Sequence, residues 1–345
     1  MTGIGVGEQA TTPLAAVFQF FVRDLAGMLG GVVFAFVQGS DLDIYAKQWR
    51  LFADCVNNVG YIADLLSPVF PDAFLLLACI GSLSRAITGV AGGATRAALT
   101  QHFALTGNAA DIAAKEGSQE TATTLIGMVV GMLVLRVAAG HDLLIWSIFL
   151  LLSFMHIYAN IKAARSLQLT SLNPARLDIL LAHYLAMHEM SVLRPKHVAA
   201  LEPLLPPRVT RLWQRLLSGA PGMEVRMGAR MSDQENVQEE LAAMGGDKKH
   251  LIALEQGGSC ASVVLRVDCT ADDVLDAYVH AFMLLHAKLP LDHSFEAATR
   301  RMEKAWPKLR GELRQAGWSL KGASLCPSPW RAAWGSQLPS NLHVD

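Results

Sequence analysis

The stretch Leu143–Ile161 constrains the fold of this chain most, because it runs for nineteen residues without an Asp, Glu, Lys or Arg. As an α-helix at 1.5 Å per residue it is about 28 Å long, close to the ~30 Å hydrocarbon core of a bilayer. Buried helices of soluble proteins are usually shorter than this. The stretch therefore predicts a membrane-spanning helix.

The composition agrees with a chain that is partly surrounded by lipid. Hydrophobic residues make up 52% of the sequence and charged residues 17%, against about 25% charged in typical soluble proteins. The net charge of -1 provides no field that would attract nucleic acid, so we expect no nucleic-acid partner. The five cysteines are widely spaced and form no zinc motif, so we expect reduced thiols, an intracellular location, and neither a metal nor a cofactor.

A second apolar segment, Thr121–Ala139, precedes the first and has a single charge, Arg136, near its end. A long cationic side chain at that position can reach the membrane interface. The link Gly140–Asp142 is short, which predicts that the two segments form an antiparallel helical hairpin.

Two further apolar segments are less regular. Ala73–Ala98 contains Arg85 in its interior, and a cation at membrane depth must face protein or water. Leu14–Val37 is interrupted by glycines, and it could span the membrane, re-enter it or lie at its surface.

Small residues on one helix face predict close helix packing. Gly89 and Gly93 share a face of the third segment, and Gly127 and Gly131 form a GxxxG motif in the second. We expect these two helices to pack on each other through the glycines, although GxxxG also arises by chance in apolar segments.

The last third of the chain alternates strand and helix patterns, with Gly257–Gly258 as a hairpin turn and Asp268 or Thr270 as a helix cap. The predicted strands are His250–Leu254 and Ala261–Val267, and the predicted helices are Ala271–Lys288 and Ser294–Gln315.

We therefore predict a mainly α protein in which a multi-pass helical membrane domain precedes a small α+β C-terminal domain. The predicted divisions are residues 1–165 for the membrane domain, 166–246 for amphipathic helices and a linker, 247–320 for the α+β domain, and 321–345 for a disordered or tethered tail. Lys162, Arg165 and Arg176 follow the most apolar segment, so the positive-inside rule predicts a cytoplasmic C-terminal domain.

Several uncommon sequence motifs in the first half of the chain resemble those of the root UV-B sensitive (RUS) family. They are GVG at 5–7, ATTPLAA at 10–16, DLDIYAKQWRLFAD at 41–54, FPDAFLLLAC at 70–79, GVAGGATRAALTQH at 89–102 and AAKEGSQET at 113–121. The resemblance extends to about residue 135, and more weakly to about residue 318. The family usually has a further region before the first motif, so we expect a truncated or alternatively started product.

The resemblance implies a modest set of properties. Plant members are associated with root responses to UV-B, seedling development, auxin distribution and vitamin B6 homeostasis. Animal members are multi-pass membrane proteins without an established activity.

Polar residues are concentrated around the connection at 94–120, between two helices that could lie in lipid. The segment is either a solvated loop with a helix cap at Ser118 or a polar binding site or ion path. Arg85 likewise either forms a structural ion pair or contacts a ligand. The candidate binding residues are Arg85, Arg96, Gln101, His102, Asp111, Lys115, Gln119 and Glu120.

The sequence contains no catalytic or metal-binding motif. Gly257–Ala261 lacks the second glycine of a nucleophile elbow, and the spacing of His183 and His188 does not place both on one helix face. We therefore expect a non-enzymatic protein that contacts membrane lipid and binds a protein partner through its C-terminal domain. The alternative is a transporter or carrier that takes a small molecule along a polar path at 85–120.

Overall fold

A computed structural model describes residues 13–105, 107–187, 191–218, 223–233, 248–254, 259–286, 291–321, 323–325 and 328–334. The chain divides into two compact units, which are described separately. The helical unit comprises Met1–Arg165 with Leu204–Pro206, and the C-terminal unit comprises Ser166–Pro203 with Pro207–Asp345.

Five α-helices and a short 3₁₀ turn make up the described part of the helical unit. They are α1 Pro13–Ile44, α2 Ala46–Leu66, the 3₁₀ turn Pro71–Ala73, α3 Phe74–Phe103, α4 Ala109–Ala138 and α5 Asp142–Ser166. Among the residues that the structure describes, four helical stretches are long and apolar enough to cross a membrane: Leu14–Ile44, Pro71–Phe103, Ala109–Ala138 and Asp142–Ser166.

Helices α1, α2 and α3 pack tightly together. Trp49 of α2 is 2% exposed and lies edge-on to Phe34 of α1, with ring centroids 5.6 Å apart. Helix α1 continues through its glycines without interruption. The absence of side chains at these positions allows the α1 backbone to lie close to α3. Side chains at Gly27 and Gly30 would collide with Ser82 and Leu83, respectively.

The prediction that α3 and α4 pack through their glycines is wrong in this structure. A Cβ atom added at Gly89, Gly93, Gly127 or Gly131 would meet no atom within 4 Å. The GxxxG pattern permits a close approach but does not specify a partner. The close approaches instead join α3 to α1 and α2.

The predicted hairpin of α4 and α5 is also wrong. Gly140 adopts φ +79° in the short turn between the helices, but they do not pack along their lengths in the described part of the chain. Large apolar side chains therefore remain exposed on both helices, for example Leu133 at 61% and Phe154 at 70%.

The C-terminal unit contains a three-stranded sheet with order β1–β3–β2. Its elements are α6 Pro174–Ala186, α7 Pro195–Leu201, α8 Pro207–Ser218, β1 Glu224–Met227, the 3₁₀ turn Met231–Asp233, β2 His250–Leu254, β3 Cys260–Leu265, α9 Ala271–Leu285 and α10 Leu291–Gln315. The central strand β3 pairs parallel to β1 and antiparallel to β2, and all six of its residues are buried.

One hydrophobic core joins the sheet, α9, α10 and α6. Leu177 of α6, Val263 of β3 and Leu275 of α9 are each fully buried in it. Thr270 caps α9 in a reciprocal capping box with Asp273, as one of the two predicted alternatives required. The amphipathic α6 therefore belongs to the same core as the sheet.

Two segments of the C-terminal unit are more ordered than predicted. Strand β1 lies inside the predicted linker, and Ala332 in the predicted tail forms a bridge with Arg266. Trp334 is buried at 5% and its indole N–H donates to the Lys248 carbonyl at 3.0 Å. The predicted turn at Gly257–Gly258 lies outside the described residues. The two strands that flank it, β2 and β3, pair antiparallel as a hairpin requires.

Candidate polar sites in the helical unit

Arg85 forms an ion pair with Asp64, which joins α3 to α2. The pair lies beside a close backbone approach: a Cβ atom at Gly81 would lie 2.5 Å from an Asp64 carboxylate oxygen and 3.3 Å from an Arg85 guanidinium nitrogen. Glycine at position 81 thus leaves room for the two charged side chains. The geometry corresponds to the structural alternative for Arg85, with a partner that the sequence did not identify.

Arg96 joins α3 to α4 through two carboxylates. Its guanidinium group lies 3.2 Å from Glu116 and 2.5 Å from Glu120. Glu116 and Glu120 are four residues apart on one face of α4, which allows both to reach the same cation. Arg96 and Glu120, both predicted site residues, are therefore brought together.

The remaining candidates do not join this cluster as a single site. Lys115 pairs with Asp111 at 2.8 Å on the exposed surface of α4. The side chains of Gln101 and Gln119 are exposed, and the ring of His102 lies 5.2 Å from that of Phe103, measured between centroids. Arg85 and Arg96 are separated by about 16 Å along α3, at 1.5 Å per residue.

Most of the predicted connection at 94–120 is helical. Only residues 104–108 link α3 to α4, and Ser118 lies inside α4, where its hydroxyl donates to the Ala114 carbonyl at 2.8 Å. Ser118 is therefore not a helix cap.

A polar stripe runs along α2 and was missed by the sequence analysis. Asp54, Asn57, Asn58, Tyr61 and Asp64 recur at spacings of three and four residues, which places them on one side of the helix. Ala53, Gly60 and Ala63, which lie next to this stripe around the helix, are buried. No apolar run marked α2 as a membrane segment, but the helical period of its polar residues was a usable signal.

A cavity of about 670 Å³ separates this stripe from α5. Its volume lies within the usual ~300–1,000 Å³ range of ligand pockets. The α2 wall is formed mainly by polar side chains and the α5 wall mainly by apolar ones. The lining residues are Asn57, Asn58, Tyr61, Asp64 and Leu65 of α2, and Ile145, Phe149, Leu152, Ser153 and His156 of α5.

The two walls differ in what they can bind. The α2 amides offer both donors and acceptors, whereas Phe149 and Leu152 offer apolar contact. Asp64 at the cavity is already paired with Arg85, so its charge is balanced. Asp54, one turn before Asn57 and Asn58, has a buried carboxylate oxygen without a hydrogen-bond partner.

The C-terminal unit contains a buried chain of polar contacts. Nε2 of His250 lies 3.0 Å from Nδ1 of His280, and Nε2 of His280 lies 3.0 Å from the Thr299 hydroxyl. Burial lowers the pKa of His250 to about 4, with a smaller contribution from Lys248. Burial, and then the neighbouring His250, lower the pKa of His280 to about 3. Both imidazoles are therefore neutral at pH 7.

A buried carboxyl group lies in the same unit. The Tyr278 hydroxyl donates to Asp178 at 2.7 Å, and burial raises the pKa of Asp178 to about 6 despite this hydrogen bond. Within the described residues, no group of three or more His, Cys, Asp or Glu side chains is arranged to bind a metal ion.

These observations define a class of protein: a mainly helical chain whose described residues include four helices long and apolar enough to cross a membrane, followed in sequence by a compact α+β unit. The family model described as "Vitamin B6 photo-protection and homoeostasis domain" matches residues 1–188. The model described as "Root UVB sensitive protein, C-terminal" matches residues 191–334. The chain belongs to the root UVB sensitive family, as its sequence motifs indicated.

Relatives in plants and in a social amoeba show how far the similarity extends. Protein root UVB sensitive 3 of Arabidopsis thaliana is 44% identical over 343 residues, which cover 97% of this chain and 76% of the relative. RUS family member 1 of Dictyostelium discoideum is 41% identical over 208 residues, which cover 59% of this chain and 39% of the relative. Protein root UVB sensitive 5 of Arabidopsis thaliana is 26% identical, with 94% of this chain and 66% of the relative covered. No solved structure gives a significant match.

Proposed function

We propose that this chain is a non-enzymatic, multi-pass membrane protein that holds a folded α+β domain at an intracellular membrane, where the domain binds a protein partner. The observation that carries the proposal is the contrast between the two units. No residue of α5 is buried, although it is strongly apolar, whereas the C-terminal unit has an extensive core. A lipid environment around the helices would explain the contrast, because the hydrocarbon core favours contact with apolar side chains that are unfavourable in water.

Carbonate extraction of cell membranes tests the insertion of the chain. The protein should remain in the membrane pellet, since its helices would lie in the hydrocarbon core. A matched variant with Leu150→Arg and Phe154→Arg in α5 adds charges at positions that are exposed in the structure. These charges should impair insertion of α5 but leave a soluble fold intact. Release of the wild-type protein by carbonate would contradict the proposal.

The cytoplasmic orientation of the C-terminal domain remains a prediction, and fewer basic residues now favour it. Arg176 is buried at 3% and paired with Glu202 at 3.0 Å, so it does not act as a free charge beside the membrane. Lys162 and Arg165 near the end of α5 still favour a cytoplasmic C-terminal domain. Protease protection in sealed vesicles measures this directly: cleavage of the C-terminal domain only from the cytoplasmic side is the expected result.

The second candidate function is a small-molecule carrier, and the cavity between α2 and α5 is the observation that favours it. Helix α2 packs along α3, a helix apolar enough to span a membrane, and its polar side chains need a polar cavity or a partner at that depth. The ligand would be a small amphiphile, with hydrogen-bonding groups towards Asn57 and Asn58 and an apolar part towards Phe149.

Uptake into proteoliposomes against a panel of polar and amphiphilic metabolites separates the two functions. Asn58→Leu would place an apolar side chain in the cavity and should abolish uptake by a carrier. Val59→Leu is the matched control, since Val59 is 52% exposed and does not line the cavity. A scaffold would show no uptake in any variant.

A further inference from the structure

Helix α8 has an unusual arrangement of polar and apolar side chains. Its sequence, PRVTRLWQRLLS, places Val209, Leu212, Trp213, Leu216 and Leu217 within an arc of about 140° at 100° per residue. The arginines at 208, 211 and 215 fall together on another side of the helix, and α8 contains no acidic residue. The helix is therefore strongly amphipathic and basic.

Three large side chains on the apolar side of α8 are exposed. Leu212 is 58% exposed, Trp213 is 54% exposed and Leu216 is 69% exposed. On the polar side, Arg211 forms an ion pair with Glu224 of β1. Amphipathic helices on soluble domains normally turn their apolar side to the core. In α8 an ion pair on the polar side connects the helix to the sheet, whereas Leu212, Trp213 and Leu216 on the apolar side remain exposed.

We propose that α8 lies in the interface of an anionic membrane, with its apolar side in the acyl-chain boundary and Arg208 at the lipid phosphates. The inference rests on the proposed membrane function. Two observations favour lipid over a protein partner. Arg208 is exposed at the edge of the apolar arc, where a long cationic side chain can reach phosphate groups. The combination of basic residues, leucines and a tryptophan without any acidic residue is typical of interfacial helices.

Quenching of tryptophan fluorescence by brominated lipids tests the inference on the full-length protein in proteoliposomes. The emission of Trp213 is obtained as the difference between wild type and Trp213→Phe. Two lipid compositions are compared, pure phosphatidylcholine and an equal mixture of phosphatidylcholine and phosphatidylserine, each brominated on the acyl chains. We expect loss of the Trp213 emission, with a greater loss in the mixture.

Two other tryptophans provide matched controls. Trp330 is 48% exposed in the same unit and lies under Arg230, whose Cζ atom is 3.9 Å from the ring centroid; its emission should be retained. Trp146 lies in α5, and its emission should be quenched if that helix is in lipid. Both are measured as differences from the corresponding phenylalanine variants.

Each outcome decides a separate claim. Retention of the Trp213 emission while Trp146 is quenched overturns the inference but not the membrane function. Retention of the Trp146 emission counts against the membrane function itself. Quenching of Trp330 together with Trp213 also overturns the inference, because the contact would not be specific to α8. Equal quenching of Trp213 in both compositions overturns the assignment of Arg208 to anionic lipid phosphates; if the assignment is correct, an Arg208→Gln variant should abolish the difference between the two compositions.

Discussion

The ion pair between Arg176 and Glu202 provides a sharp test of the C-terminal fold, because it is buried on both sides. The Arg176 side chain is 3% exposed, the Glu202 side chain is 1% exposed, and the charged groups are 3.0 Å apart. Arg176 also donates to the Ser171 carbonyl at 2.8 Å. These contacts join the start of α6 to the end of α7.

Removal of one partner should be strongly destabilising. Glu202→Gln leaves the Arg176 guanidinium buried without its counter-charge, and Arg176→Met leaves the Glu202 carboxylate in the same situation. Breaking a buried pair in this way typically costs about 3–5 kcal/mol. The double variant Arg176→Met with Glu202→Leu removes both charges and should lose less stability than either single variant, because no uncompensated charge remains.

Hydrogen exchange of the full-length protein in detergent measures the effect in the correct unit. The amides of β3 report the opening free energy of the C-terminal core, and the helical unit does not contribute to them. Lys308→Met is the control: Lys308 is 65% exposed and lies 3.7 Å from Glu312, and exposed pairs of this kind contribute about 0.3–0.5 kcal/mol. If the single variants changed the opening free energy of β3 no more than the control does, the assignment of a buried, structurally required pair would be refuted.

Three further predictions follow from named contacts. Gly27→Ala should destabilise the helical unit, because Ser82 occupies the space that the added methyl group needs. Gly89→Ala, at an open helical position, should stabilise the unit by about 0.5–1 kcal/mol. Thermal unfolding in detergent compares the two variants. The folded pKa values of His250 and His280 are lowered to about 4 and about 3, so the stabilising contribution of these neutral imidazoles is complete above about pH 6.5 and is lost as the pH falls towards the folded pKa values. The opening free energy of β3 should therefore fall over this pH range. A His280→Gln variant should show a weaker pH dependence. Thr270→Ala removes the cap of α9 and should cost about 1 kcal/mol, whereas Thr270→Ser should cost much less, as measured by denaturant unfolding.

The elements that the sequence predicted well are those with local signals. Strands β2 and β3 follow from short apolar runs that contain Ile252, Val263 and Val264, and α9 follows from an apolar period behind a capping threonine. These signals depend only on neighbouring residues. The four long apolar stretches likewise lie in helices, but these helices extend beyond the predicted bounds, and α4 begins at Ala109, twelve residues before the predicted start at Thr121.

The elements that the sequence missed depend on distant partners. Strand β1 has four residues and is defined by parallel pairing with β3, more than thirty positions later in the chain. Arg85 was recognised as needing a polar partner, but Asp64 could be found only after α2 was placed beside α3. The glycine prediction failed for the same reason, since a small side chain permits contact without selecting the helix that makes it.

The solvent around the helical unit determines how its polar residues should be interpreted. In water, the many exposed large apolar side chains of α4 and α5 would be unusual for a soluble monomer. The polar stripe of α2 would then be an ordinary solvated face. In lipid the apolar surfaces are covered and the stripe becomes the costly feature, because polar groups at that depth must pair or line a cavity. The ion pair of Asp64 with Arg85 and the cavity beside Asn57 and Asn58 meet both of these requirements. A lipid environment would therefore account for the surfaces of both α2 and α5, whereas water would account only for that of α2.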